Sequence, residues 1–153
     1  MNLTGANLTG AILSEANLTG VNLTTDVNLT RVNLSFVNLT DINLEGVDLI
    51  GAYLVGVNLT GANLSRTNLR DAYLQRANLR DATLRDANLS AANLNNAYLK
   101  GANFENAILI DAILINVRGA NLTGANLTGV ILTDADCKSA YKRGVRSSIY
   151  RMD

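Results

Sequence analysis

Apolar residues return with a period of five along almost the whole chain. The centre of each unit is a leucine: Leu3, Leu8, Leu13, Leu18 and Leu23, then every fifth residue from Leu29 to Leu114 with Phe104 as the one exception, then Leu122, Leu127 and Leu132. Cys137 occupies the next such position. Two residues before each centre stands a small or β-branched apolar residue, as at Ala6, Val32, Ala62 and Ala97. A fixed short repeat outranks other sequence signals in deciding a fold. A helix advances about 100° per residue, so a step of five would set successive leucines about 140° apart and scatter them round the cylinder. Asn, Thr and Gly, all poor helix formers, fill most other positions. No helix is predicted.

A flat strand fails for another reason. Side chains alternate with period two, so Ala6 and Leu8 share one face of a strand. The next small residue, Ala11, lies three positions beyond Leu8, and an odd step flips the face. Both pairs point inward only if the chain turns a corner between them. Each unit is therefore a very short strand and a corner, and the glycines two residues after a centre (Gly5, Gly10, Gly20, Gly61, Gly124) suit such a turn. Repeated corners wind the chain into an all-β solenoid with a narrow, side-chain-filled interior.

With Ala or Val, Asn or Asp, Leu or Phe, Ser, Thr or Arg, and Gly or a polar residue in that order, the chain resembles the pentapeptide-repeat proteins over about residues 1–137. The resemblance implies a right-handed quadrilateral parallel β-helix with four pentamers per coil, hence about seven coils. At roughly 4.8 Å between stacked strands the rod would be about 30 Å long. Close Ala-Asn-Leu-Thr-Gly arrays are, by the same resemblance, especially common in cyanobacteria. The chain divides into residues 1–137, the β-helix, and 138–153, a basic C-terminal tail.

At 153 residues this is one domain. The absence of Pro agrees with backbone hydrogen bonds on every coil. Net charge is zero but uneven: Glu15, Asp26, Asp41, Glu45 and Asp48 outweigh Arg31 in the first coils, whereas the tail carries Lys138, Lys142, Arg143, Arg146 and Arg151 against Asp153. A single cysteine excludes an internal disulfide. With no apolar run near 18 residues and no signal peptide at the start, the expectation is a cytoplasmic protein without a membrane partner, a leader removed before residue 1 being left open. Glycosylation sequons such as those at Asn2, Asn7 and Asn33 are by-products of the repeat.

Two steps break the period. One extra residue lies between Leu23 and Leu29, within Thr24-Thr25-Asp26, and reads as a bulge at a corner. Three extra residues lie between Leu114 and Leu122, most simply Val117-Arg118-Gly119, and predict a small protruding loop. In the tail, Tyr141, Val145, Ile149 and Tyr150 are candidates to cap the open core end.

Taking four pentamers per coil, residues 20 apart stack. Tyr53 then lies over Tyr73 at an outward position, with Ile113 further along the same column. Ile108 and Ile110 flank Leu109 on the neighbouring face, Ile113 and Ile115 flank Leu114, and Ile131 is expected near Ile108 if the three-residue loop leaves the face order unchanged. These isoleucines and the Tyr pair form the candidate interaction surface, since an exposed apolar patch marks a covered one. From Arg66 to Asp86, Arg66, Arg70, Arg76, Arg80 and Arg85 alternate with Asp71, Asp81 and Asp86, which reads as a solvated ladder of ion pairs.

Chemistry is sparse. The chain has no His, the commonest general base, and Cys137 takes an inward position. Only Asp134 with Asp136 approaches a carboxylate pair. No catalytic, metal or cofactor site is predicted, and no small-molecule substrate. Nucleic-acid binding would need a broader positive stripe with aromatics. Some members of the family protect DNA gyrase by imitating B-form DNA, but a neutral rod with Asn at most positions before the centre lacks the carboxylates this needs. A water- or ice-ordering surface built on Thr19, Thr40 and Thr60 is interrupted by Arg80 and Lys100. What remains is a non-enzymatic structural or interaction module whose partner is an unknown protein or a second copy.

Overall fold

The computed structural model describes residues 6–14, 16, 18, 21, 23, 27–114 and 120–132. Within them the chain is a parallel β-solenoid. Residues before successive centres pair in parallel bridges, and these fall in four columns, one for each side of the coil. Side 1 runs through Asn7, Asn28, Asp48, Asn68, Asn88, Ile108 and Asn126. Side 2 runs through Ile12, Asn33, Tyr53, Tyr73, Asn93, Ile113 and Ile131. Side 3 holds Asn38, Asn58, Asn78 and Tyr98, and side 4 holds Asn43, Asn63, Thr83, Asn103 and Asn121. Two bridges extend into strands, β1 (Ile113–Leu114) and β2 (Ile131–Leu132), which pair in parallel.

The hydrogen bonds of one pentamer show why so short a strand suffices. In residues 57–61, the Asn58 N–H donates back to Val37 O at 3.0 Å, and the Leu59 and Gly61 N–H groups donate forward to Asn78 O and Arg80 O at 2.8 and 2.9 Å. Val57 N–H closes the preceding corner on Leu54 O at 3.3 Å. The fifth donor, Thr60 N–H, points outward and is taken by Asn58 Oδ1 at 3.2 Å. Three of the five donors thus join neighbouring coils and two shape the corner, so every N–H is used. The same side-chain acceptor serves every described pentamer with Asn or Asp before its centre, for example Asn28 to Thr30 and Asp48 to Ile50.

Each corner carries its residue two after the centre at positive φ. Gly fills some of these places, but Arg31, Phe36, Arg66, Asp71, Ala91 and Asn96, among others, hold φ between 55° and 63°. A turn closed by a fourth-to-first hydrogen bond with only its third residue at positive φ is of type II. Gly61 shows why glycine recurs there: beyond its φ of 68°, an added Cβ would fall on Oδ1 of Asp41 one coil earlier.

Inside, the parity of the repeat is obeyed. From Leu23 to Leu127 every described centre is at most 2% exposed, and Ala or Val packs between centres. Thr67 replaces Ala at one inward position, and its hydroxyl donates to Leu64 O at 2.5 Å, so the substitution leaves no unpaired buried group.

The register reports on both breaks. Asn7 pairs with Asn28, 21 residues on, which accommodates the single extra residue before Leu29. The second break differs from expectation. Asn103 pairs with Asn121 and Ile108 with Asn126, each 18 residues apart. The step from Leu114 to Leu122 therefore passes from side 2 to side 4: it is a coil two residues short, not a coil with three added. Because a whole side is passed, Ile131 stacks on Ile113 on side 2, and the expected stacking on Ile108 is incorrect. Val117 to Gly119, Ile115, Cys137 and the cap candidates Tyr141, Val145, Ile149 and Tyr150 lie outside the described residues.

Candidate interaction surface

Side 2 gathers most of the outward apolar residues. Tyr53 and Tyr73 stack with ring centroids 4.9 Å apart and an interplanar angle of 4°, which the bridge spacing imposes on two aromatics in one column. Ile113 and Ile131 continue the column beyond Asn93. Ile12, not singled out by the repeat pattern, begins it and is 78% exposed. Ile108 is exposed on side 1 and Ile110 half-buried beside it, next to the corner shared with side 2. The expected surface is thus largely assembled, with Ile131 moved onto the Tyr column.

Two further aromatics went unrecognised in the sequence. Phe36 sits on the corner between sides 2 and 3 at φ 63° and is 69% exposed. Its ring lies across Gly56, where an added Cβ would come within 2.7 Å of it. The signal was present: an aromatic at a corner position with glycine 20 residues later. Tyr98 stands on side 3, with the Arg80 guanidinium 4.9 Å from its ring centre.

The apolar outward residues carry a local cost. Where Tyr53, Tyr73, Tyr98 or Ile108 replaces Asn, the outward N–H two residues on has no side-chain acceptor among the described hydrogen bonds. An intramolecular hydrogen bond is worth about 0.5–1.5 kcal/mol net, so each replacement gives up a device the rest of the rod uses.

The charged belt is only partly paired within itself. Arg70 Nε meets Asp71 Oδ2 at 3.2 Å, whereas Arg66 reaches to Glu45 and Arg85 to Glu105 at 3.5 Å, both on neighbouring coils. Arg66, by its hydrogen bond and then its charge, holds the Glu45 carboxyl below its usual value of 4.5. On side 3 the hydroxyls of Thr40 and Thr60 donate to Asn38 and Asn58 at 2.6 and 2.7 Å, so the threonines are committed to the rod's own ladder. Among the described residues no three His, Cys, Asp or Glu side chains cluster as a metal site requires, and no helix is long and apolar enough to cross a membrane.

The comparisons agree with this architecture. A family model described as pentapeptide repeats matches residues 1–24, 28–66, 52–90, 87–118 and 115–141, in eight copies. A pentapeptide repeat protein from Nostoc is 35% identical, with 69% of this chain and 84% of that chain covered and a TM-score of 0.53. A pentapeptide repeat protein from the Arabidopsis thaliana thylakoid lumen is 28% identical, with 92% and 77% covered and a TM-score of 0.51. A comparison with curated proteins finds no match. On the repeat, the coil register and these similarities, the chain belongs to the pentapeptide-repeat family.

Proposed function

We propose that the protein is a rigid, non-enzymatic interaction rod whose working surface is side 2 with the adjoining Ile108 and Ile110 of side 1. The observation that carries this reading is the run of outward Tyr and Ile at positions where the rod otherwise places Asn. Those residues forgo the acceptor for the following N–H, so local folding does not account for them. Contact with another surface does. The finer architecture belongs to the same proposal: a right-handed quadrilateral helix of about seven coils, supported by the seven bridge positions of side 1. Its location in the cytoplasm is likewise proposed.

The test is affinity capture from native lysate with wild type and with Ile108→Asn/Ile113→Asn. Loss of captured protein or of self-association in the variant supports the reading; an unchanged set and unchanged solution mass remove it. The duplex-mimic alternative draws no support from the described surface, where Arg66, Arg70 and Arg85 sit beside the acids.

A further inference from the structure

We infer that two copies of the rod pack side 2 against side 2, parallel and in register, about a twofold axis running along the rods. This rests on the reading of side 2 as a contact surface and names its occupant.

The corners that border side 2 select this arrangement. On the coil of Tyr73 they are Asp71 on one edge and Arg76 on the other, both exposed. A twofold axis along the rod keeps each coil level with its counterpart and exchanges the two edges. Asp71 of each copy then faces Arg76 of the other, giving two opposite-charge pairs. An antiparallel packing preserves the edges instead. Tyr73 is the fourth of the seven side-2 bridge positions, so it would sit at the centre, with Asp71 facing Asp71 and Arg76 facing Arg76. Like charges brought together suppress that alternative.

The neighbouring coils agree with the parallel register. Beside Asn33 the corners are Arg31 and Phe36, so edge exchange brings each guanidinium to an exposed ring, a cation–π contact. Beside Tyr53 both corners are glycine, Gly51 and Gly56, which leaves the edges low and lets the two Tyr53 side chains meet. Further along, Ile113 meets Ile113 and Ile131 meets Ile131.

The size of the surface sets the strength. Seven strands at about 4.8 Å span roughly 29 Å, and one side is about 12–16 Å wide, so the pair buries roughly 800 Å² in total. This is below the range of permanent dimers and predicts reversible association at micromolar concentrations.

The experiment uses the full chain. Light scattering across roughly 1–500 μM is expected to show a monomer–dimer equilibrium. Asp71→Arg or Arg76→Asp alone sets four cations or four anions along the edges and weakens the dimer about tenfold; the double exchange restores it. A folding defect would persist in the double variant, whereas an interface defect is repaired. Tyr53→Cys with Cys137→Ser is expected to give a disulfide-linked dimer on mild oxidation, because only the parallel register places Tyr53 against itself. A monomer at every concentration, single exchanges without effect, or cross-linking of Tyr53→Cys only to Asn93→Cys overturns the inference. A monomer whose lysate capture still depends on Ile108 and Ile113 overturns the dimer and leaves the interaction reading standing; a monomer with no such dependence removes both.

Discussion

Asn58 donates from Nδ2 to Asn38 Oδ1 at 3.1 Å, linking two coils through side chains 20 residues apart. It donates equally to Thr40 Oγ1 at 2.9 Å, while its own Oδ1 accepts from Thr60 N–H and from Asn78 Nδ2. One amide therefore closes its local turn and joins a ladder. Side 4 repeats the device between Asn63 and Asn43 and between Asn121 and Asn103. Aspartate can close the turn, as Asp48 does, but has no donor for the ladder. This gives a physical reason for Asn before so many centres.

Asn58→Asp is accordingly expected to keep the turn and lose the ladder. With two acceptor oxygens facing Asn38 and no donor, the variant should be less stable by about 1–3 kcal/mol. Urea unfolding at neutral pH checks this. A loss that shrinks at low pH, where the carboxyl regains a proton, would trace the effect to the missing donor.

The corners predict changes of opposite sign. Ala91 holds φ 57° with no compensating side-chain function, so Ala91→Gly should stabilise the rod by about 1 kcal/mol. Gly61→Ala should destabilise it by about 1–3 kcal/mol, since strain at φ 68° adds to the displacement of Asp41. Thermal unfolding of the two variants is sufficient, and the same sign for both would contradict the corner geometry.

The Glu45–Arg66 pair predicts an acid-side loss. Because the folded carboxyl titrates below its usual 4.5, its contribution is present in full above that value and is lost as pH falls through the folded pKa. The stability difference between wild type and Glu45→Gln should be constant at neutral pH and vanish towards low pH. Added salt should reduce it, the pair being exposed. A difference that grows on acidification would contradict the assignment.

Much of this architecture was legible in the chain. Parity alone required corners, and stacking by 20 placed Tyr53 on Tyr73 and Ile113 in their column. The direction of the second break was not legible, because an eight-residue step reads the same whether a loop is added or a side is passed in fewer residues. Only the pairing of Asn103 with Asn121 decides it, and it carries Ile131 to side 2. Phe36 escaped notice because the motif tolerates many residues at the corner, whereas its exposure follows from a backbone φ that no periodicity displays. The Asn ladder was hidden for a related reason: Asn before the centre looked like polar surface until its two hydrogen-bonding roles could be seen together.

The central claim is that outward apolar residues serve contact and not the fold. Ile108 tests it most directly, since it stands between Asn88 and Asn126 on side 1 and leaves Ile110 N–H without a side-chain acceptor among the described bonds. In Ile108→Asn the new amide would accept from Ile110 N–H and join both neighbours, which offsets the apolar area given up at a residue already 40% exposed. Measured by denaturant unfolding in dilute solution, the variant is predicted to be more stable than wild type by about 0.5–1 kcal/mol. A loss of about 1 kcal/mol or more would show that Ile108 serves the fold itself and would contradict the account.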